Sequence, residues 1–275
     1  NTDNMLFTNG FVALTGQSAL TFGGTIRTTN TAISIGDADT DSTLTADTTF
    51  NTQGGAALTI NGDVAGAGNS LTLNSTGTTN ITTLATMTGL SSLTVSAGVT
   101  QIRSDITTTG NQVYNGAVTY FGDITLTGAN VQFASTVTKN ATTDTLAIAV
   151  GNLNLDGAAD VEALTVAEEA NFADDVTAVT SITVSDKTTI STGTTITLTS
   201  DAGGTGGISL EEISGVNGGA AESLVLASGP STIAVTGAVS DITNLTITDS
   251  GGATFGGAVT LSGTLLITAS ADDDD

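Results

Sequence analysis

The chain has 275 residues, with 27 acidic against four basic side chains and a net charge of −23. It has 57 Thr, 34 Gly, a single Pro and no His, Cys or Trp. That composition excludes an imidazole base, a thiol nucleophile, a Cys/His zinc site and a disulfide. Arg27, Arg103, Lys139 and Lys187 are too few to neutralise a phosphate backbone or an anionic membrane, so no nucleic acid is expected as a partner.

The hydrophobic fraction is 39% and the aromatic fraction only 4%, so aliphatic side chains must fill the interior. No apolar run approaches the roughly 18 residues of a spanning helix, and no membrane insertion is expected. The first residue is Asn1, with no basic leader after it, which reads as a mature or excised segment, part of a longer chain.

In chain order, a first phrase is Phe22-Gly23-Gly24-Thr25-Ile26, a Phe followed four residues later by Ile or Val. It returns at Phe133 to Val137, Phe172 to Val176 and Phe255 to Val259. Next comes Asp37-Ala38-Asp39-Thr40-Asp41-Ser42. Carboxylates alternate here, and clustered oxygens suit calcium. Ser42 and Thr48 stand where an EF-hand loop needs Gly and Glu, so Asp37, Asp39 and Asp41 are candidate ligands of a looser calcium loop, or a solvated acidic turn. Gly66-Ala67-Gly68-Asn69-Ser70 lacks the acid and the tandem repetition of a calcium-binding nonapeptide.

From residue 70 a second phrase dominates: a small or polar residue, then Leu/Ile, Thr, and Val/Leu/Ile. It reads Ser70-Leu71-Thr72-Leu73, Ser92-Leu93-Thr94-Val95, Ala163-Leu164-Thr165-Val166, Ser181-Ile182-Thr183-Val184 and Asn244-Leu245-Thr246-Ile247, with looser copies at Leu146/Ile148, Ile196/Leu198, Leu224/Leu226 and Leu265/Ile267. The spacing is about twenty residues. Within each phrase apolar and polar residues alternate with the strand period of two. Gly, Asn and Asp between phrases read as turns.

The segment from Asp160 to Asp174 comes nearest to a helical period, but its Leu-Thr-Val phrase is in step with the repeats and it reads as strand. The fold expected is all-β: one parallel β-solenoid over residues 1–275 with irregular coils of about 20 residues, each burying its apolar face only by stacking on the next. The alternative is tandem β-sandwiches, with Asn-Gly pairs at 9–10, 61–62, 115–116 and 217–218 as hairpin turns.

The run from Thr107 to Val118, with its Gly110-Asn111-Gln112-Val113-Tyr114-Asn115-Gly116-Ala117-Val118 core, together with residues 253–259 and the Leu-Thr-Val phrases, resembles the β-strand repeats of large bacterial exported surface proteins. These include filamentous-haemagglutinin-like adhesins and repeat-rich S-layer proteins. The resemblance implies a right-handed β-helical stalk or sheet at the cell surface and a structural or adhesive role.

Adjacent acids at 168–169, 174–175, 211–212 and 272–275 point to opposite sides of a strand, so no paired carboxylates for sugar hydrolysis are formed by sequence alone, and no enzyme is expected. Thr-x-Thr pairs such as Thr195/Thr197 read as the outward half of strands. Asn74, Asn80, Asn140 and Asn244 each begin an Asn-x-Ser/Thr glycosylation match. The expected function is an extracellular structural subunit or segment of a filament or S-layer-like assembly, self-associating head-to-tail or laterally, with calcium as a possible bridging ion. The alternative is an adhesin stalk or module that binds glycan.

Overall fold

A computed structural model describes residues 5–7, 12–14, 19–191, 193, 195–200, 206–216 and 222–268. The described residues contain strands and turns and no helix. The chain divides into two compact units, Asn1–Thr136 and Val137–Asp275.

In the first unit each coil contributes short strands to three parallel ladders. One ladder runs through Met5–Phe7, residues 26–28, 48–52, Ser70–Ser75, Ser92–Ser96, Gln112–Tyr114 and residues 131–133. A second runs through Val12–Leu14, Ile33–Ile35, Leu58–Ile60, Thr78–Ile81, Val99–Ile102 and Ala117–Tyr120. The third joins residues 19–22, 41–44, Val64–Ala65, Met87–Leu90, Ile106–Thr108 and residues 124–127.

The second unit repeats the plan. One ladder takes Val137–Lys139, residues 159–161, 176–178, Thr195–Ser200, Ser223–Ala227, Asn244–Asp249 and Leu265–Ile267. A second takes residues 146–148, 163–166, 181–184, 208–210, Thr232–Val235 and Gly252–Phe255. The third takes residues 153–155, Ala170–Phe172, residues 187–190, 212–215, Val239–Ile242 and Val259–Leu261. Each unit is therefore a parallel β-solenoid.

The repeated phrases are the rungs. Leu71 pairs with Leu93 and Thr72 with Thr94. Leu146, Leu164 and Ile182 stack in one column, and Leu224, Leu245 and Leu265 in another. The strand period of two sends Leu and Val inward and Thr outward, so the burial of Ser70–Ser75 alternates residue by residue. Each inward Leu or Ile, fully removed from water, contributes about 1.5–3 kcal/mol. The outward β-branched Thr suits the pleated surface.

Coil length is less regular than expected. Partners lie 18 residues apart at Val99 and Ala117 and 25 at Ile33 and Leu58. They are 17 apart at Asn154 and Asn171 and 28 at Thr195 and Ser223. Corners absorb most of the difference, and the pairing slips by one residue inside a rung at Met87/Leu90, Leu226/Ala227 and Val239/Ile242.

The Phe phrase marks corners and not one column. Phe172 stacks between Leu155 and Ile190, whereas Phe255 stacks on Val235 in another ladder. In each case Phe is the last inward residue before the chain turns. The sandwich alternative fails because every recorded pairing is parallel. Asn61-Gly62 and Asn115-Gly116 are corners, not hairpins. A Cβ on Gly116 would sit 1.9 Å from the Ala97 carbonyl oxygen one coil below, so close stacking requires glycine there. The pairs at 9–10 and 217–218 lie outside the described residues.

Polar groups inside the core are mostly turned to corner carbonyls. Thr28, Thr52 and Ser75 are stacked and buried in one column. Thr28 donates to the Thr31 carbonyl at 2.5 Å, and Thr52 and Ser75 both donate to that of Ala56 at 2.8 Å. The Gln112-Val113-Tyr114 phrase forms a polar plug. Gln112 Nε2 donates to the Ile106 carbonyl at 3.1 Å and, one coil on, to that of Thr127 at 2.9 Å. The Tyr114 hydroxyl donates to Gln112 Oε1 at 2.9 Å, and its ring stacks on Phe133 at 5.1 Å. Burial pushes the Tyr114 pKa upward, so the phenol keeps its proton. Thr79 and Thr100, partners in the second ladder, are buried with hydroxyls that find no acceptor in the protein.

Candidate functional site

Asp37, Asp39 and Asp41 lie at the corner that leads into the strand Asp41–Thr52. Asp37 faces its own turn. Its Oδ1 accepts from the Asp39 backbone N–H at 3.1 Å and from the Thr40 hydroxyl at 2.6 Å, while its carbonyl accepts from Thr40 N–H at 3.2 Å. Asp39 and Asp41 are exposed. Among the described residues no three carboxylates converge on a point where one cation could sit. Asp41 instead lines a shallow groove of about 290 Å³ along the third ladder, with Thr43 of its own strand and Asp63, Ala65, Thr86 and Thr88 from the next two coils.

That groove holds one copy of a recurring device that was missed in the sequence. Asp63 Oδ1 accepts the backbone N–H of Thr86, one coil on, at 2.8 Å. Asp47 holds Ser70 N–H at 2.8 Å, Asp105 holds Thr125 at 2.7 Å and Asp175 holds Thr197 at 2.7 Å. Asn244 does the same to Thr264 at 3.0 Å. The corner leaves one ladder N–H without a carbonyl partner, and a short side-chain acceptor from the neighbouring coil satisfies it. The Ser70 N–H and hydroxyl hold the Asp47 carboxyl below the usual carboxylate range. The visible signal was Asp directly before an inward aliphatic residue, as in Asp63-Val64, Asp105-Ile106 and Asp175-Val176.

The remaining charges are dispersed. Asp174 and Asp175 are exposed at a corner, with Asp175 committed to its clamp. Glu168 and Glu169 are exposed at another corner, and residues 272–275 lie outside the described set. Arg27 is exposed, Arg103 lies 3.5 Å over the Phe121 ring, Lys139 pairs with Asp160, and Lys187 pairs with its register partner Glu212 at 3.7 Å. The outward column at Thr197 passes to Val225, so no continuous threonine ladder forms there.

The coil spanning Gly252–Phe255, Val259–Leu261 and Leu265–Ile267 differs from the coils before it. Leu245 is fully buried, while its partner Leu265 is 48% exposed and Ile267 56% exposed. Phe255, Val259 and Leu261 are half-buried where Val235, Val239 and Ile242 below them are buried. The rungs of this coil are aliphatic like those of the preceding coil and less buried. No helix of the described residues is long and apolar enough to cross a membrane. No family model, curated protein or solved structure matches this chain.

Proposed function

We propose that the protein is an extracellular structural element, a subunit or segment of a cell-surface filament or S-layer-like assembly, and that it performs no catalysis. The observation that carries this reading is the parallel β-solenoid of each unit, whose aliphatic rungs pile coil on coil and whose backbone pairs only with the coils on either side. In the assembled form a coil of one copy pairs with a coil of the next through three short parallel strands with inward aliphatics. Stacking by such an operator is head-to-tail and does not close, which yields filaments.

The corners carry no long projecting loop among the described residues, which favours a scaffold over a glycan-binding adhesin. The dispersed acids keep a threonine-rich surface soluble by like-charge repulsion. Calcium bridging at Asp39 and Asp41 belongs to the lateral, lattice form of the assembly.

Electron microscopy of the purified chain, with and without chelator, tests the reading. Ordered fibres that survive chelation support end-on stacking, and lattices lost on chelation support the calcium-bridged form. Dispersed particles that bind a glycan array would overturn it in favour of the adhesin. In the stacked form Leu265→Asp with Ile267→Asp removes the fibres and leaves the folded chain intact.

A further inference from the structure

The four Asn-x-Ser/Thr matches are equivalent in sequence, and the fold separates them. Asn74 is locked in a ladder between Asn51 and Ser96, and the Thr76 hydroxyl that completes its triplet already accepts the Gly55 N–H at 2.7 Å. Asn80 is held between Thr59 and Gln101, and its Thr82 hydroxyl is buried. Asn244 is committed on both ends of its amide: Nδ2 donates to Ser223 Oγ at 3.2 Å, and Oδ1 accepts from the N–H and hydroxyl of Thr264. Asn140 alone follows a strand instead of lying in one, directly after Val137–Lys139. Residues 140–143 are all exposed, Thr142 included.

The turn is braced from below. Buried Asp144 accepts the Ala141 N–H on Oδ2 at 3.0 Å, and its own N–H donates to the Ala141 carbonyl at 3.3 Å. Transfer of a glycan requires an enzyme to reach the Asn amide and the hydroxyl two residues on at the same time. The ladder sites would have to part from the neighbouring coils first, whereas this turn offers both groups as it stands.

We propose that Asn140 is an acceptor for an N-linked glycan. The donor is a lipid-linked glycosyl diphosphate. Nδ2 forms a bond to the anomeric carbon, the bond from that carbon to the diphosphate oxygen breaks, the lipid diphosphate leaves with the electron pair, and Nδ2 gives up one proton to the transferase. The site's use by a cell rests on the extracellular reading above; its competence as an acceptor does not.

The test is transfer in vitro. The purified folded chain is incubated with an oligosaccharyltransferase and lipid-linked oligosaccharide, and glycopeptides are mapped by mass. One glycan on Asn140 is expected. Asn140→Gln and Thr142→Ala abolish it and Thr142→Ser retains it, while circular dichroism of the variants matches the parent. Short peptides carrying each of the four triplets are all modified, because the discrimination lies in the fold. Glycan on Asn74, Asn80 or Asn244 of the folded chain with Asn140 bare, or an unmodified folded chain beside a modified 137–145 peptide, would overturn the assignment. Fibres on the microscope grid without the glycan defeat this proposal alone, and the glycan on dispersed monomers defeats the structural function alone.

Discussion

Leu224, Leu245 and Leu265 begin the same phrase in the same column, yet the first two are fully buried and the third is half in water. Each follows a small polar residue, Ser223, Asn244 or Thr264. Leu245 lies between two described coils, and Leu265 has a described coil on one side alone. Burial in this protein is thus a property of stacking, as expected of a chain whose repeats contact only their neighbours, and a strand's contribution to stability depends on its place in the column.

That contrast sets the largest expected effect. Leu93→Ala empties a rung enclosed on both sides by Leu71 and Gln112 and should cost about 2–5 kcal/mol by the usual cavity penalty. Leu265→Ala removes surface already half hydrated and should cost under about 1 kcal/mol in the dispersed chain. Equal losses in urea titrations would mean that the coil of Leu265 is covered in solution.

The polar plug comes next. Gln112→Leu leaves the Ile106 and Thr127 carbonyls and the Tyr114 hydroxyl without their partner. Each orphaned group costs about 1–3 kcal/mol, so a loss near that of a leucine rung is expected on chemical denaturation. A neutral outcome would show that the plug contributes nothing to the stack. In the opposite direction, Thr100→Val replaces a buried, unpaired hydroxyl by a methyl beneath Val118 and should gain about 1 kcal/mol, read as a raised Tm. A lowered Tm would mean that the hydroxyl is satisfied.

The smallest effect concerns the corner clamps. The Asp47 carboxyl is held below its ordinary value by Ser70. The clamp therefore stabilises fully above the unfolded carboxylate pKa of about 4 and fades as pH falls through the lower folded value. The Tm gap between the parent and Asp47→Ala should be constant from pH 5 to 8 and shrink below about pH 4. Using the difference cancels the global relief of acidic repulsion. A gap that widens in acid would reverse the sign and reject the clamp.

The rungs were legible in the sequence because one inward column needs the same Leu-Thr-Val alternation each time the chain comes round. Leu71 to Leu93 and Leu146 to Leu164 to Ile182 are true stacking intervals. The Phe phrase returns without marking one column because a bulky side chain suits the end of any strand before a corner, so Phe172 and Phe255 fill different columns. The clamps were hidden for another reason. Asp63 and Thr86 are 23 residues apart, and only the register of two coils brings them together. Gln112 stood out in the sequence only as part of the Gly110–Val118 phrase, and its burial follows from facing inward at Gln112–Tyr114. The acids at 37, 39 and 41 alternate in sequence, but the chain turns between Asp37 and Asp41, which spends the first carboxylate on its own loop.

The central claim is coil-on-coil parallel register, and a chain without cysteine lets it be measured directly. Thr72 and Thr94 are outward partners in adjacent coils, about 4.8 Å apart as neighbouring strands, within reach of a disulfide. Mild oxidation of the Thr72→Cys/Thr94→Cys double variant should close one intramolecular bond in nearly every molecule with no loss of Tm. Failure of that pair, alongside efficient closure of Thr72→Cys with Val95→Cys on the opposite face, would contradict the stacking on which every other conclusion depends.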